Sequence, residues 1–360
     1  MKKDIVKLKA GLLCLGARVE RETAGELERE YPHFFDKGFI HAVNIHLYDS
    51  NINISVAEEF STESPYLITK RNGAYYITGE GWDEPIFFYR NLPHTGTFLD
   101  DLARLHAPGC VNIWPSTTCC YDTEELKCRF CSLKADMERP IDIGELCSAL
   151  RILLPKLPKD YMLNFSGGTY HDPDWMARYW IDLAKGIREF SDIDITVEFA
   201  PPSNLGLLQE MKDVGIGVVI MNLEIADKER RKAICPGKSH ISYEHYHEAF
   251  REAVRIFGWG MVSSVLIGGI QPKEEIMKEC AVMASEGVFP TIMPFRPMDN
   301  CELYGFSRCK PDELIEMSDY LGRLLEKYGL DFNKQPGCTK CGGCSLENDC
   351  YSRIVQPSVL

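Results

Sequence analysis

Val111-Asn112-Ile113-Trp114 is followed by Ser116-Thr117-Thr118-Cys119-Cys120-Tyr121 and then by Lys127-Cys128-Arg129-Phe130-Cys131. A short apolar run thus opens directly into a loop that carries four thiols. The run is rich in β-branched and aromatic residues, which predicts a strand. Cys128 and Cys131 form a C-x2-C pair, and with Cys120 the spacing is C-x7-C-x2-C. Three thiolates can hold three irons of a 4Fe–4S cluster and leave the fourth iron open. An open coordination position is where a cofactor or substrate binds, as in catalytic zinc sites. Cys119 competes with Cys120 for the first ligand position, and a structural zinc site competes with the cluster.

Working outward, the same rhythm of strand and helix continues downstream. Further strands are expected at residues 161–165, 193–199, 216–221, 261–267 and 291–295, with helices between them, for example over 175–190 and 243–257. Parallel strands need crossover connections, so six βα units in series imply a parallel sheet. The expected fold class is α/β, a partial (β/α)6 TIM-type barrel over residues 106–300. In such barrels the chemistry sits at the C-terminal ends of the strands, which is where the thiol loop falls.

Residues 1–105 read differently. Tyr66-Leu67-Ile68-Thr69 and Ala74-Tyr75-Tyr76-Ile77-Thr78 flank Arg71-Asn72-Gly73, a strong hairpin signal. Pro85-Ile86-Phe87-Phe88-Tyr89 is a further strand. This part is expected to be an α+β or β-rich N-terminal module. Residues 301–360 form a Cys-rich C-terminal extension, with one helix over 311–328.

Composition bounds the function classes. The chain has 360 residues, 45% hydrophobic and 26% charged, with a formal net charge of −13. Non-specific binding to nucleic acid or to an anionic membrane surface does not fit that charge. No apolar run reaches the roughly 20 residues of a membrane-spanning helix, and the start, Met1 to Lys9, lacks the apolar stretch of a secretory signal. The expectation is a cytoplasmic protein. Fifteen cysteines in a reducing compartment point to metal binding rather than disulfides. The scattered Cys14, Cys110, Cys147, Cys235 and Cys280 read as small buried hydrophobes.

A three-cysteine loop after the first strand, with Phe130 before the last cysteine, resembles the radical S-adenosylmethionine (SAM) superfamily. The usual spacing there is C-x3-C-x2-C, so the first gap here is longer. Thr-Thr-x-Cys, a frequent entry to that loop, aligns Cys120. The resemblance extends along residues 110 to 300 and is nearest to the biotin synthase, lipoyl synthase and hydrogenase-maturase branch. It implies that Gly167, Gly168 and Thr169 form the turn that binds the SAM amino group, with Thr169 where Glu is common. It also implies SAM contacts from Glu224 and Asn222, while Glu198, a charge at an apolar strand end, needs a partner that is either SAM or a structural ion pair. The Arg that some relatives set against the SAM carboxylate has Tyr246 and His247 as its nearest positions. Val265 and Leu266 match the segment that packs adenine, though a buried strand explains them as well. Arg296 is a candidate to hold substrate or to form an ion pair, and His171 a candidate acid or base.

The tail contains Cys338, Cys341, Cys344 and Cys350, giving C-x2-C-x2-C-x5-C. Four thiols can saturate a cluster, and the first part is like bacterial ferredoxin spacing. The expectation is a second, auxiliary 4Fe–4S cluster, with a four-thiolate zinc site as its rival.

The resemblance implies a radical SAM enzyme. Its cluster reduces SAM to methionine and a 5′-deoxyadenosyl radical, which abstracts hydrogen from a small-molecule or peptidyl substrate in a biosynthetic pathway. A flavodoxin- or ferredoxin-type reductant would supply the electron. Two other readings stand beside it: an activase that installs a glycyl radical in a partner, and a non-catalytic zinc or iron–sulfur binding or electron-transfer protein.

Overall fold

The computed structural model describes residues 4–31, 42–89, 92–107, 109–133, 139–334 and 337–355; Met1, Lys2 and Lys3 of the signal reading lie outside them. Among the described residues the first sheet contains β1 (Arg18–Val19), β2 (Ala42–Leu47), β3 (Ser50–Ser55), β4 (Leu67–Arg71), β5 (Ala74–Gly79) and β6 (Trp82–Phe88), in the order β1-β4-β5-β6-β2-β3. The β4–β5 hairpin turns at Asn72 (φ 51°) and Gly73 (φ 79°). Two consecutive left-handed residues match the twist of the flanking strands, which is why Asn-Gly belongs there.

The second sheet contains β7 (Ala103–Ala107), β8 (Cys110–Ser116), β9 (Met162–Gly167), β10 (Asp194–Glu198), β11 (Val218–Ile220), β12 (Val262–Gly268) and β13 (Val288–Pro294). They lie side by side in chain order, parallel from β8 to β13, with β7 antiparallel on the edge. This is the partial α/β barrel. Each expected strand is present with its ends moved by a few residues, and β11 is shorter than expected. β7 is an addition. It pairs with β8 and carries the barrel sheet back across residue 105.

Alternation sets the two faces of this sheet. Val111 and Ile113 of β8, Leu163 and Phe165 of β9, and Ile195 and Val197 of β10 are buried in the main core under the crossover helices. The helix Trp175–Arg188 buries Trp180, Leu183, Ala184 and Ile187, a helical spacing that gives one apolar stripe. Trp180 stacks on Phe165 at 5.8 Å; truncating it to Ala would cost about 3 to 5 kcal/mol. The intervening residues share the other face. Cross-strand register aligns Cys110 with Met162, and Asn112 with Asn164 and Thr196.

The N-terminal sheet is tied to the barrel by Arg296, just past β13. Its guanidinium donates to Leu13 O at 3.3 Å, Asn53 Oδ1 at 2.9 Å and Asn53 O at 2.7 Å. Arg296 is therefore engaged in holding the module. After the barrel, the helix Pro311–Tyr328 ends at Gly329 in the left-handed conformation (φ 65°), as helix C-termini prefer. The final helix Glu347–Val355 packs on it, with Cys350 Cβ 3.2 Å from where a Cβ on Gly322 would lie. No described helix is long and apolar enough to cross a membrane.

Candidate active site

The thiol loop leaves β8 and returns across the C-terminal ends of the parallel strands. Two backbone contacts hold it there. Cys120 N donates to Thr169 O at 2.7 Å, and Arg129 N donates to Ile234 O at 2.8 Å. Within the loop, Cys131 N donates to Cys128 O at 2.9 Å, closing the C-x2-C pair into a turn. Gly168 makes the first contact sterically possible. A Cβ there would meet Thr118 O at 2.0 Å and Cys119 Cβ at 2.9 Å, so glycine lets two loops touch backbone to backbone. Gly167 is less constrained: its tight contact is the flexible Met176 side chain at 2.9 Å, with Ser116 O at an ordinary 3.5 Å. The sequence-derived Gly167-Gly168-Thr169 turn therefore lies directly against the cysteine loop.

The thiols fit an iron–sulfur group. The neighbouring Cys235 thiol and burial raise Cys128. Burial, with Cys128, Glu224 and Cys119 nearby, pushes Cys131 up to about 12. Burial and the adjacent Cys119 push Cys120 up to about 11. Such thiols ionise when a cation meets them, as ligation by iron provides. Cys119 lies near enough to contribute to the rise of Cys131, while Cys120 is fixed through its backbone to Thr169.

The strand ends supply a polar belt. Glu198, closing β10, accepts from Ser166 Oγ at 2.7 Å and from Asn222 Nδ2. Burial raises its carboxyl pKa despite those donors. Asn222 Oδ1 in turn accepts from Val265 N at 3.0 Å, so Glu198 and Asn222 are brought together. Glu224 adopts a left-handed backbone (φ 67°), unusual for a residue with a Cβ. Its N donates to Val265 O at 2.8 Å and its O accepts from Ile267 N at 2.9 Å, which locks the bend. The bend aims its carboxylate at the cysteine loop. Cys128, Glu224 and Cys235 have ligand atoms within 4.8 Å of one another. Lys238 Nζ sits 2.7 Å from Glu224 Oε1, and burial opposed by Glu224 leaves the lysine raised well above its usual range.

Some candidates are placed elsewhere. His247 is pinned between Glu279 at 3.0 Å and Glu286 at 2.7 Å, and Tyr246 donates to Asn222 O at 3.1 Å. His171 is exposed, and Leu266 is buried in the core. Two residues of the site escaped the sequence reading. Cys235, taken there as a scattered apolar residue, borders Cys128, and Lys238 pairs with Glu224. The signal available was their common position in Cys235-Pro236-Gly237-Lys238-Ser239, the turn after the fourth parallel strand.

The tail cysteines divide. Cys341 packs with Ala107 and Cys110, and Cys338 feels both Cys341 and Cys344. Burial raises Cys344, while Arg296 and Lys9 oppose that rise. Lys9, itself 1% exposed, donates to Gly342 O at 2.8 Å and pairs with Asp349 at 2.6 Å. Cys350 lies apart, against Asp319 and Arg353.

A curated relative, bacteriochlorophyllide c C-7(1)-hydroxylase of Chlorobaculum limnaeum, is 26% identical over 264 residues, covering 64% of this chain. The chain spans 65% of that relative's length. Solved structures that superpose on the chain include the [FeFe]-hydrogenase maturase HydG (18% identity, TM-score 0.48, 60% of this chain and 50% of that one). Methylornithine synthase (PylB) has 18% identity and a TM-score of 0.48, covering 61% and 62%. A radical SAM methyltransferase from Sphaerobacter thermophilus has 11% identity and a TM-score of 0.45, covering 78% and 80%. No family model matches the chain.

Proposed function

We propose that the chain is a radical S-adenosylmethionine enzyme that draws hydrogen from a small-molecule or peptidyl substrate held on the inner face of its open barrel. One observation carries this reading: the cysteine loop, the Gly167–Gly168 turn, Glu198, Asn222 and Glu224 converge at the C-terminal ends of adjacent parallel strands. When bound, the cluster and SAM supply reductive cleavage of SAM to methionine and a 5′-deoxyadenosyl radical.

The chain's own residues bind and orient. Cys128, Cys131 and one of the Cys119–Cys120 pair hold the cluster by three irons. The Gly167–Thr169 turn offers backbone atoms to the SAM amino group, and Glu198, Asn222 and Glu224 offer acceptors and an amide around it. Lys238 neutralises Glu224 beside the thiolates, which limits repulsion in a buried site. Below this belt, Asn112 Oδ1 and Asn164 Oδ1 are buried without a hydrogen-bond partner. Buried polar atoms of this kind are costly unless something pairs with them, so they suit a polar substrate. A flavodoxin- or ferredoxin-type protein is the proposed electron donor. The tail holds a second 4Fe–4S cluster, near the buried Lys9 and the half-buried Arg296, cations that favour an anionic centre.

The test is spectroscopic. The anaerobically reconstituted, reduced protein should give a 4Fe–4S electron paramagnetic resonance signal whose g-values shift when SAM is added. A cluster signal indifferent to saturating SAM, or zinc in place of iron, refutes the reading.

A further inference from the structure

We infer that Cys110, Cys338, Cys341 and Cys344 are the ligands of the second cluster, the first barrel strand supplying the fourth thiolate in place of Cys350. This rests on the reading that the tail holds a cluster, and concerns which residues hold it.

The tail is applied to the inner face of the sheet. Gly337 N meets Met162 Sδ, and a Cβ on Gly337, which is left-handed at φ 94°, would strike Thr196 Oγ1 at 2.4 Å. Met162 and Thr196 are on β9 and β10, and Cys110 aligns with Met162 across β8 and β9. The segment from Gly337 onward therefore passes the N-terminal end of β8, where Cys110 begins the strand. Cys110 is 1% exposed and belongs to the small apolar cluster that includes Cys341. Its thiol is raised by burial and by the closeness of Cys341 and Cys344. Cys338 is acted on by Cys341, Cys110 and Cys344 alike. Thiols from two distant parts of the chain, Cys110 and Cys341, thus pack together, with Cys338 and Cys344 three residues to either side of Cys341.

Cys350 has another environment. It is fully buried between the helices Glu347–Val355 and Pro311–Tyr328, its neighbours being Asp319, Arg353 and Asp349. Turning it toward the other tail thiols would require the last helix to rotate away from Gly322.

Spacing favours a cluster over a single ion. Zinc with Zn–S bonds of about 2.3 Å brings its thiolates to roughly 3.8 Å from one another. Among the described residues, the tail thiols do not form a set of three within 4.8 Å. A four-iron cube binds each thiolate at a different iron and so spreads them wider. The surroundings support this pocket as ligand residues usually are supported. Asn51 Nδ2 donates to Cys341 O at 3.0 Å, Asn53 N to Gly343 O at 2.7 Å, and Lys9 Nζ to Gly342 O at 2.8 Å.

The experiment isolates the tail in the full chain by working in a Cys128→Ala/Cys131→Ala parent, reconstituted anaerobically and assayed for iron and sulfide. The parent should keep about four irons. Adding Cys350→Ala should leave that number unchanged. Adding Cys110→Ala should lower it to below about one, or leave a three-iron centre visible by electron paramagnetic resonance. Circular dichroism reports whether each variant folds. If Cys110→Ala does not fold, Cys110→Ser, which keeps the size, should change the g-values and potential of the tail cluster. A parent without tail iron refutes the second cluster itself. A parent with iron that Cys350→Ala removes and Cys110→Ala spares, or a Cys110→Ser signal identical to the parent's, overturns this ligand assignment alone.

Discussion

Glu224 Oε1 and Lys238 Nζ lie 2.7 Å apart, both within the buried pocket that also contains Cys128 and Cys235. The pair ties the bend after the fourth parallel strand to the turn that follows it. Removing one member of a buried ion pair leaves the other charge uncompensated, at about 3 kcal/mol or more. Lys238→Met should therefore lower the urea midpoint and weaken SAM binding together. Glu224→Gln should do the same, and the double variant should recover part of the stability but not the SAM affinity. Equilibrium unfolding and SAM titration of all three variants check this.

Gly168 and Gly167 make a controlled comparison. Gly168→Ala puts a Cβ 2.0 Å from Thr118 O, a backbone atom that cannot move without displacing the cysteine loop. Gly167→Ala meets the flexible end of Met176 at 2.9 Å. SAM cleavage should fall at least about tenfold in Gly168→Ala, equivalent to about 1.4 kcal/mol, and by much less in Gly167→Ala. Comparable losses in both would remove the special role of Gly168.

His247 gives a pH signature. Burial alone would lower its pKa, but Glu279 and Glu286 outweigh burial and raise it to about 9, above the ordinary value of about 6.5. The folded state thus binds the proton more tightly. Its contribution is complete below about pH 6.5, declines as pH rises, and is gone once pH passes about 9, for a total on the order of 2 to 3 kcal/mol. Thermal unfolding of wild type should lose this increment between those limits. His247→Gln should be less stable at pH 6.5 and show a flatter profile over the same range.

Lys9 joins the N-terminal helix to the tail through Gly342 O and Asp349. Lys9→Met keeps the apolar stem but removes the charge. It should destabilise the protein by about 3 kcal/mol and lower the reduction potential of the proposed tail cluster, because a nearby cation favours the more negative, reduced state. Protein-film voltammetry measures the second effect directly.

The barrel was legible because its signals are local. Alternating apolar strands, amphipathic helices and a thiol loop immediately after the first strand can each be read within about 15 residues. The hairpin at Asn72-Gly73 was legible for the same reason. What could not be read is contact between distant segments. Arg296 follows a barrel strand and so read as a residue of the barrel face, yet its partners are Leu13 and Asn53 in the N-terminal part. Cys350 completes the C-x2-C-x2-C-x5-C series, but a helix begins at Glu347 and sets it beside Asp319 and Arg353. Cys110 carries no local sign of tail contact, since only the folded register places it beside Cys341. Edge strand β7 also escaped, as its pairing with β8 depends on a turn and not on periodicity.

The central claim is that Cys128 and Cys131 hold a cluster at which SAM is cleaved. The direct measurement is 5′-deoxyadenosine formed by anaerobically reconstituted protein with SAM and dithionite. Wild type should form it in amounts proportional to the cluster content, and Cys131→Ala should form none above the protein-free background. Equal formation by both proteins, or none by wild type carrying its full iron, would contradict the account.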